Sequence, residues 1–553
     1  MAQSADQAAG EAADLAARAS EWAFELVASP SVTGSADEAA FAQWLCERLK
    51  RLPIFAHNPE SVWTIPLPGD PLGRACVAAL VRGTGARTIV LTGHFDTVHL
   101  EDYGPLTPLA TQPYALRDAL MKELAQDAAT PAEQRALADL QSGAFLPGRG
   151  LLDMKSGLAA GLAVLEAFAA AREQPGNLLF LAVPDEEANS AGARSAAAAL
   201  PEIARRFGLS LEAAVNLDSL VDDGDGEAGR AIALGTVGKL LPSALIIGQP
   251  VHASDALRGF NAGLLAAMIA VEMEWIPALT DRTGAELGAP PTLLGLKDNR
   301  TVYDVTTPDR VWAYWNVMTH RRGPAEVLAA FGAVCRDGAA RAAGALRERA
   351  EALGVAATSP TDVAVLTFEQ LRSEVLAGDA EAAERFATRA HETAVQGLDL
   401  PEQCRILTEH LWDASRRSGP AVVTGFASWP YLPTSLSGPE GERLEAAARA
   451  AASAMAELGA PVGIIRYFPG ISDMSHLGQT DPEAIPTIAA NTPTWGAGIP
   501  WPAGAVAAGL PIVNAGPWGR DYHTRLERLH LAYAFEILPV LLLRIIRDFL
   551  TER

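Results

Sequence analysis

Three short runs in the first 220 residues are apolar almost without a break and then stop at acids or a histidine: "RTIVLTGHFDTV", "NLLFLAVPDEE" and "LEAAVNLDS". Unbroken apolar runs of this length suit strands buried on both faces. Between the first two, an alanine-rich stretch starting near Lys155 reads as a helix. The alternation predicts an α/β fold with an open, mostly parallel sheet and helices on both faces. In such sheets, sites form beyond the carboxyl ends of the strands. The polar residues stand at those ends.

From about Gly235 the pattern changes. "GTVGKLLPSALIIGQ" reads as strand, "DALRGFNAGLLAAMIAVEMEW" as helix and "TTPDRVWAYWNVMTHRR" as strand. A long helix from "GPAEVLAAFGAVC" and a last strand at "TDVAVLTFEQL" follow, and the stretch is read as the β-α-β-β-α-β order of a small two-layer α+β domain of ferredoxin-like type. A polar helical stretch covers roughly 378–417, and strand–helix alternation then resumes through "PEGERLEAAARAAASAMAELG". The chain is therefore expected to have a main domain built from 1–228 and 426–553, with 229–425 inserted and carrying extra helices.

Composition narrows the partners. The formal charge is −22, from 44 basic and 66 acidic residues. Nucleic acid and anionic membrane both need basic faces, so neither is an expected partner. The four cysteines, Cys46, Cys76, Cys335 and Cys404, form no C-x-x-C pair, which disfavours a disulfide framework and fits a reducing cytoplasm. The N-terminal stretch carries Asp6, Glu11 and Asp14 and reads as a short loose tail leading into a helix, without a signal peptide's apolar core. The C-terminal "FEILPVLLLRIIRDFL" is amphipathic and too short to span a bilayer.

Candidate chemistry sits at the strand ends. In "GHFDTV", His94 and Asp96 are two apart and share a strand face. A carboxylate beside an imidazole leaves the other ring nitrogen free for a metal, although a solvated strand end gives the same motif. In "GRGLLDMKSG", glycines, lysine and serine suggest a phosphate loop, but Met154 stands where that motif requires glycine, and Asp153 would repel phosphate. A metal-binding carboxylate at a helix start and a simple helix cap both remain. "PDEEANSAG" places Glu186 beside Glu187; adjacent side chains diverge, so one can bind metal while its neighbour faces a bound water, or both are solvated acids. "NLDS" supplies Asp218, and "GPWGRDYHTRLERLH" supplies His523, with Glu527 one turn on if that segment is helical. Oxygen and nitrogen ligands without cysteine point to a hydrolytic metal site, not a structural zinc site.

Together, "GHFDTV", "GRGLLDMKSG" and "DEEANSAG", in this order, resemble the aminoacylase, carboxypeptidase G and succinyl-diaminopimelate desuccinylase family of cocatalytic zinc hydrolases, metallopeptidase clan MH. The resemblance implies a zinc-peptidase-like catalytic domain with an inserted lid. It implies two divalent cations, zinc first, with cobalt or manganese as alternatives. His94 and Asp218 would hold one cation, Glu187 and His523 the other, and Asp153 would bridge them. Asp96 would orient His94, and Glu186 would act as general base towards a metal-activated water.

In the lid, "GQPVHASDALRGFNA" is similar to the segment whose histidine reaches a neighbouring subunit's site, which implies His252 as an oxyanion donor and Asn261 as a substrate contact. Without the resemblance, His252 reads as a loop histidine. "TTPDRVWAYWNVMTHRRGP" resembles the strand ending in a carboxylate-binding arginine, here Arg321, although adjacent Arg322 leaves simple surface charge open. "GISDMSHLG" departs from the usual glycine-threonine-aspartate segment; Asp473 matches its acid as a substrate contact, and His476 is either a pocket group or structural. Chain length, this segment and the extended lid look like the arginine-utilisation RocB branch. The implied activity is hydrolysis of an amide in a peptide or N-acyl amino acid, by a homodimer formed through the lid. The alternatives are another amide, carbamoyl or succinyl, in amino-acid or arginine catabolism, and a metal-binding homologue without catalysis.

Overall fold

The computed structural model describes residues 2–171, 174–284, 286–356, 361–501 and 508–551. The chain forms two compact units: Met1–Thr236, Thr434–Thr480 and Ala505–Arg553 make the first, and Val237–Pro433 with Asp481–Gly504 make the second. The sequence reading places a single inserted piece at 229–425. The observed second unit begins and ends eight residues later, and it also takes a separate piece, Asp481–Gly504.

The first unit contains an eight-stranded sheet. Its early strands are β1 (Val62–Pro66), β2 (Ala75–Arg82) and β3 (Thr84–His94); helix α1 (Ser156–Ala170) follows, then β4 (Pro175–Val183), β5 (Ser210–Asn216) and β6 (Ala231–Ala233). Strands Gly463–Ile465 and Ile512–Asn514 come from chain beyond the second unit. The order is β1-β2-β4-β3-β5, then 512–514, β6 and 463–465. The centre is parallel, with β3 between β4 and β5, while β1 and β2 add an antiparallel edge. Leu178, Phe180 and Ala182 face one core and Leu179, Leu181 and Val183 another, so β4 is buried on both sides and its apolar run needs no alternation.

One core also takes α1, the N-terminal helix Ala2–Ala28 through Leu15, Trp22 and Leu26, and the C-terminal helix Leu538–Thr551. Among the described residues no helix is long and apolar enough to cross a membrane. All four cysteines are free and buried.

In the second unit, β7 (Pro242–Ile247), α2 (Ala262–Met273), β8 (Thr292–Asp298), β9 (Arg310–Thr319), α3 (Pro324–Ala352) and β10 (Ala364–Thr367) follow the expected β-α-β-β-α-β order. Two features are additional. Three helices, Phe368–Leu376, Ala380–Ala394 and Leu400–Ser415, cover the face opposite α2 and α3. A further strand, β11 (Ala421–Phe426), inserts between β7 and β10, giving the order β8-β9-β7-β11-β10. Ala244 and Ile246 therefore pack under α2 and α3, while Leu245 and Ile247 pack under the added helices. The unit has three layers, not two, because "SALII" is apolar on both of its faces.

Candidate functional site

Parallel pairing sets the site. His94 is opposite Val183 and Thr92 opposite Asn216, so β3, β4 and β5 end almost level. Their next residues carry Asp96, Glu186 with Glu187, and Asp218. Asp153 comes from the loop before α1, after a turn in which Gly150 has φ +73°, a conformation that favours glycine. The Asp153–Met154 peptide is cis.

His94 Nε2 lies 3.3 Å from Asp153 Oδ1, 3.7 Å from Asp218 Oδ1 and 3.9 Å from Glu186 Oε2. The other Asp153 oxygen, Oδ2, is 3.0 Å from His523 Nε2, which is also 3.2 Å from Glu187 Oε1. Each half thus gathers one histidine and two carboxylates, with ligand atoms all within 4.8 Å of one another, and Asp153 belongs to both. Glu187 Oε1 is buried without a hydrogen bond despite its nearness to His523. An acceptor buried without a donor is costly in a protein interior, and a cation between the two side chains would satisfy it. The donor set, two imidazoles and three carboxylates, fits zinc or another divalent first-row metal.

The sequence reading assigns Asp96 to His94. In the structure the nearer partner of His94 Nδ1 is the main-chain oxygen of Asp96, at 3.0 Å, and the Asp96 carboxylate stands 3.6 Å away. That carboxylate accepts the N–H groups of Glu186 (3.1 Å) and Glu187 (3.2 Å) and the hydroxyl of Thr33 (2.9 Å). It holds the glutamate loop as well as flanking the imidazole. Behind the same loop, fully buried Glu38 accepts from Asp185 N at 2.9 Å and from Arg74, whose Nη1 also reaches Asp185 Oδ1 at 2.5 Å. On the Asp218 side, Asn514 accepts from Asp218 N (3.1 Å) and donates to Asp218 O (2.8 Å), pinning the main chain of that residue. Sequence reasoning missed Thr33, Glu38, Arg74 and Asn514, which are remote in sequence and carry no local motif.

The segment after His523, for which the sequence leaves a helix open, is not helical. Residues 521–527 form turns, with His523 at φ +60° and its side chain 43% exposed. Glu527 is buried; it accepts from Arg149 Nη1 at 2.6 Å and from Gly150 N at 3.1 Å, tying this turn to the "GRG" loop. Lys155 is buried as well, donating to Ser29 O at 2.7 Å over the Phe41 ring, a scaffold role.

Protonation follows the crowding of charge. Burial disfavours charge on His94, but Asp153, Asp218 and Asp96 outweigh it and hold the imidazole well above its usual range. The same contest pushes His523 up to about 10, through Asp153 and Glu187. Asp153 is held below the usual carboxylate range: burial opposes this, and hydrogen bonds to His523 and His94 prevail. Burial and then the charges of Asp473, Asp218 and Glu187 hold Glu186 well above the usual range, and burial pushes Asp473 up to about 7. His476, buried near Arg194, is pushed down to about 3 and is therefore neutral.

These shifts have a sign. A histidine whose pKa rises on folding stabilises the fold below its unfolded value, about 6.5, and the contribution fades as pH climbs through the folded value. With His523 at about 10, protein stripped of metal by chelator should lose thermal stability steadily from pH 6.5 towards pH 10. Melting curves across that range check it. A midpoint that rises with pH would contradict the pairing of the histidines with Asp153 and Glu187.

His252 precedes the turn Ala253–Arg258, is exposed, and engages Ser254 through Nδ1 at 2.8 Å. Asn261 caps α2, accepting from Gly263 N at 2.8 Å. Arg322 is committed to Asp281 at 2.5 Å, whereas the side chain of Arg321 is exposed.

A family model described as peptidase family M20/M25/M40 matches residues 90–493. The chain belongs to that family. Membership makes it a hydrolase of the peptidase or amidohydrolase type. Two Bacillus subtilis (strain 168) relatives extend the match: "Uncharacterized protein YqjN" is 31% identical over 526 residues, covering 94% of this chain and 93% of that one. "Protein RocB" is 30% identical over 538 residues, covering 94% and 92%. Among solved structures, aminopeptidase PepT from Bacillus cereus ATCC 10987 matches with TM-score 0.52 at 14% identity, covering 97% of this chain and 98% of that one. That likeness concerns the fold.

Proposed function

We propose that the protein is a dinuclear metal-dependent amidohydrolase acting on a peptide or N-acyl amino acid. One observation carries this reading: two three-ligand groups share Asp153, with Glu186 beside them. His94 and Asp218 would hold one divalent cation and Glu187 and His523 the other, with Asp153 between; zinc suits the set, as do cobalt and manganese. When bound, such cations polarise a carbonyl and acidify water.

The chain's own residues supply the rest. Glu186 takes the proton of the attacking water and returns it to the leaving nitrogen. Its carboxyl is held well above the usual range by burial, the direction that suits a group that both accepts and donates a proton. Asp96 fixes the main chain of Glu186 and Glu187, so base and ligand keep their spacing. Asp473, His252, Asn261 and Arg321 keep the substrate roles read from the sequence as part of this proposal, with His252 as oxyanion donor.

The reading extends to a homodimer formed through the second unit. Strand β8 ends its sheet and exposes Leu294 (55%) and Leu296 (44%), an open edge suited to a second copy. A cytoplasmic setting, with a small-molecule partner and neither nucleic acid nor membrane, accords with the charge of −22 and the free cysteines.

A second reading is a RocB-like hydrolase of another amide, carbamoyl or succinyl, in amino-acid or arginine catabolism; the likeness to RocB supports the branch, and the scissile bond is left to the test. The test is elemental analysis of the purified protein together with a panel of dipeptides, N-acyl, N-succinyl and N-carbamoyl amino acids, arginine derivatives included. We expect two metal equivalents per chain and turnover of one amide class that chelator abolishes. Stoichiometric metal with no amide turned over would favour a silent homologue.

A further inference from the structure

Between "HFDTV" and "GRG" the chain makes a helical excursion: a 3-10 segment Glu101–Leu109 and helices Pro113–Leu124 and Pro131–Ser142. It has a small core of its own, formed by Tyr103, Leu116, Leu120, Leu124, Ala136 and Leu140. One residue from far along the chain packs against that core, Leu526, three positions after His523.

The polar ties run the same way. Arg525 pairs with Glu123 and, at 2.8 Å, with Glu133. Arg149 joins Asp102 (2.8 Å) to Glu527 (2.6 Å). Arg528 joins Asp139 (2.6 Å) to Asp521 (2.6 Å). Guanidinium groups thus link the excursion to the His523 turn through Arg149, Arg525 and Arg528, with Arg520 on Asp139 (2.7 Å) and Arg135 near Asp521 (3.8 Å) beside them; Arg149 and Arg528 are almost fully buried. Bonds within the turn, such as Thr524 Oγ1 to Asp521 O, are local, and its tie to the "GRG" loop is made by Glu527, at its end.

We infer that residues 101–142 clamp the His523 turn, with Arg525 and Leu526 as positioning residues for the half-site made by Asp153, Glu187 and His523. His523 is the exposed member of that set and lies on a turn of positive φ, so its place depends on what grips its neighbours. Supporting groups around a metal ligand typically carry about 10–100-fold in metal affinity. The inference rests on the dinuclear reading for its metal consequence, but the clamp itself is a property of the chain alone.

The test uses the full-length protein, with Arg525→Ala, Arg525→Lys and the double variant Glu123→Gln/Glu133→Gln. Zinc alone is titrated against a competing chelator, and amide hydrogen exchange is followed across 519–530 after metal removal. We expect about tenfold weaker binding of one zinc equivalent, the other unchanged, with partial recovery in Arg525→Lys. Exchange across 519–530 should quicken by about tenfold while β3 stays protected. Unchanged exchange in both Arg525→Ala and the double variant overturns the clamp, as does equal weakening of both equivalents. If the unaltered protein takes fewer than two equivalents, the dinuclear reading fails, and the exchange rates still decide the clamp.

Discussion

Glu186→Gln is expected to keep its metal and lose turnover by about two to four orders of magnitude. Gln preserves the size and the main-chain hydrogen bond to Asp96 Oδ1, because that bond comes from the backbone of residue 186. It removes the carboxylate that accepts a proton. Glu186 Oε2 stands 3.9 Å from His94 Nε2 and belongs to neither ligand group, so the count of cations should not change. Elemental analysis of the variant beside a single-turnover assay separates the two consequences. Undiminished turnover would remove Glu186 from the chemistry; loss of metal would move it among the ligands.

Asp153→Ala should do the opposite and lose metal and activity together. Its two oxygens serve different histidines, at 3.3 and 3.0 Å, so a single truncation removes a ligand from each group. The loss should exceed the roughly 10–100-fold in affinity that removal of a supporting hydrogen bond costs. What remains is His94 with Asp218 on one side and His523 with Glu187 on the other. Two donors seldom retain a divalent cation against chelator, whereas three plus water commonly do. Dialysis against a weak chelator followed by metal analysis checks the outcome. Two equivalents surviving in Asp153→Ala would end the bridging role.

The contrast between these variants shows where the sequence is informative. His94, Asp153, Glu187 and Asp218 lie at the ends of apolar runs or at a glycine-rich turn, where a change of pattern marks a strand end. Parallel pairing then brings such ends together without further instruction. His523 stands in "GPWGRDYHTRLERLH" and takes its ligand role from the family resemblance, while its turn leaves no signal, because Glu527 four residues on has the spacing of a helix pair. Glu527 instead answers to Arg149, 378 residues earlier. Pairings of that kind leave no period in the sequence: an arginine and a glutamate in a chain with 44 basic and 66 acidic residues look like ordinary surface. β11 was hidden for a related reason. "AVVTGF" is too short to declare its partner, and the added helices separate it from β10 along the chain.

The two oxygens of Asp96 serve adjacent peptide groups at once, one each for Glu186 and Glu187. An asparagine has the same outline but offers only a single oxygen, so whichever way its amide were turned, an NH2 would face an N–H. Shape alone therefore does not satisfy this position; it demands an acceptor on both arms. The isostere that sequence comparison treats as the mildest exchange would unseat either the base or its neighbour, even with the imidazole left undisturbed.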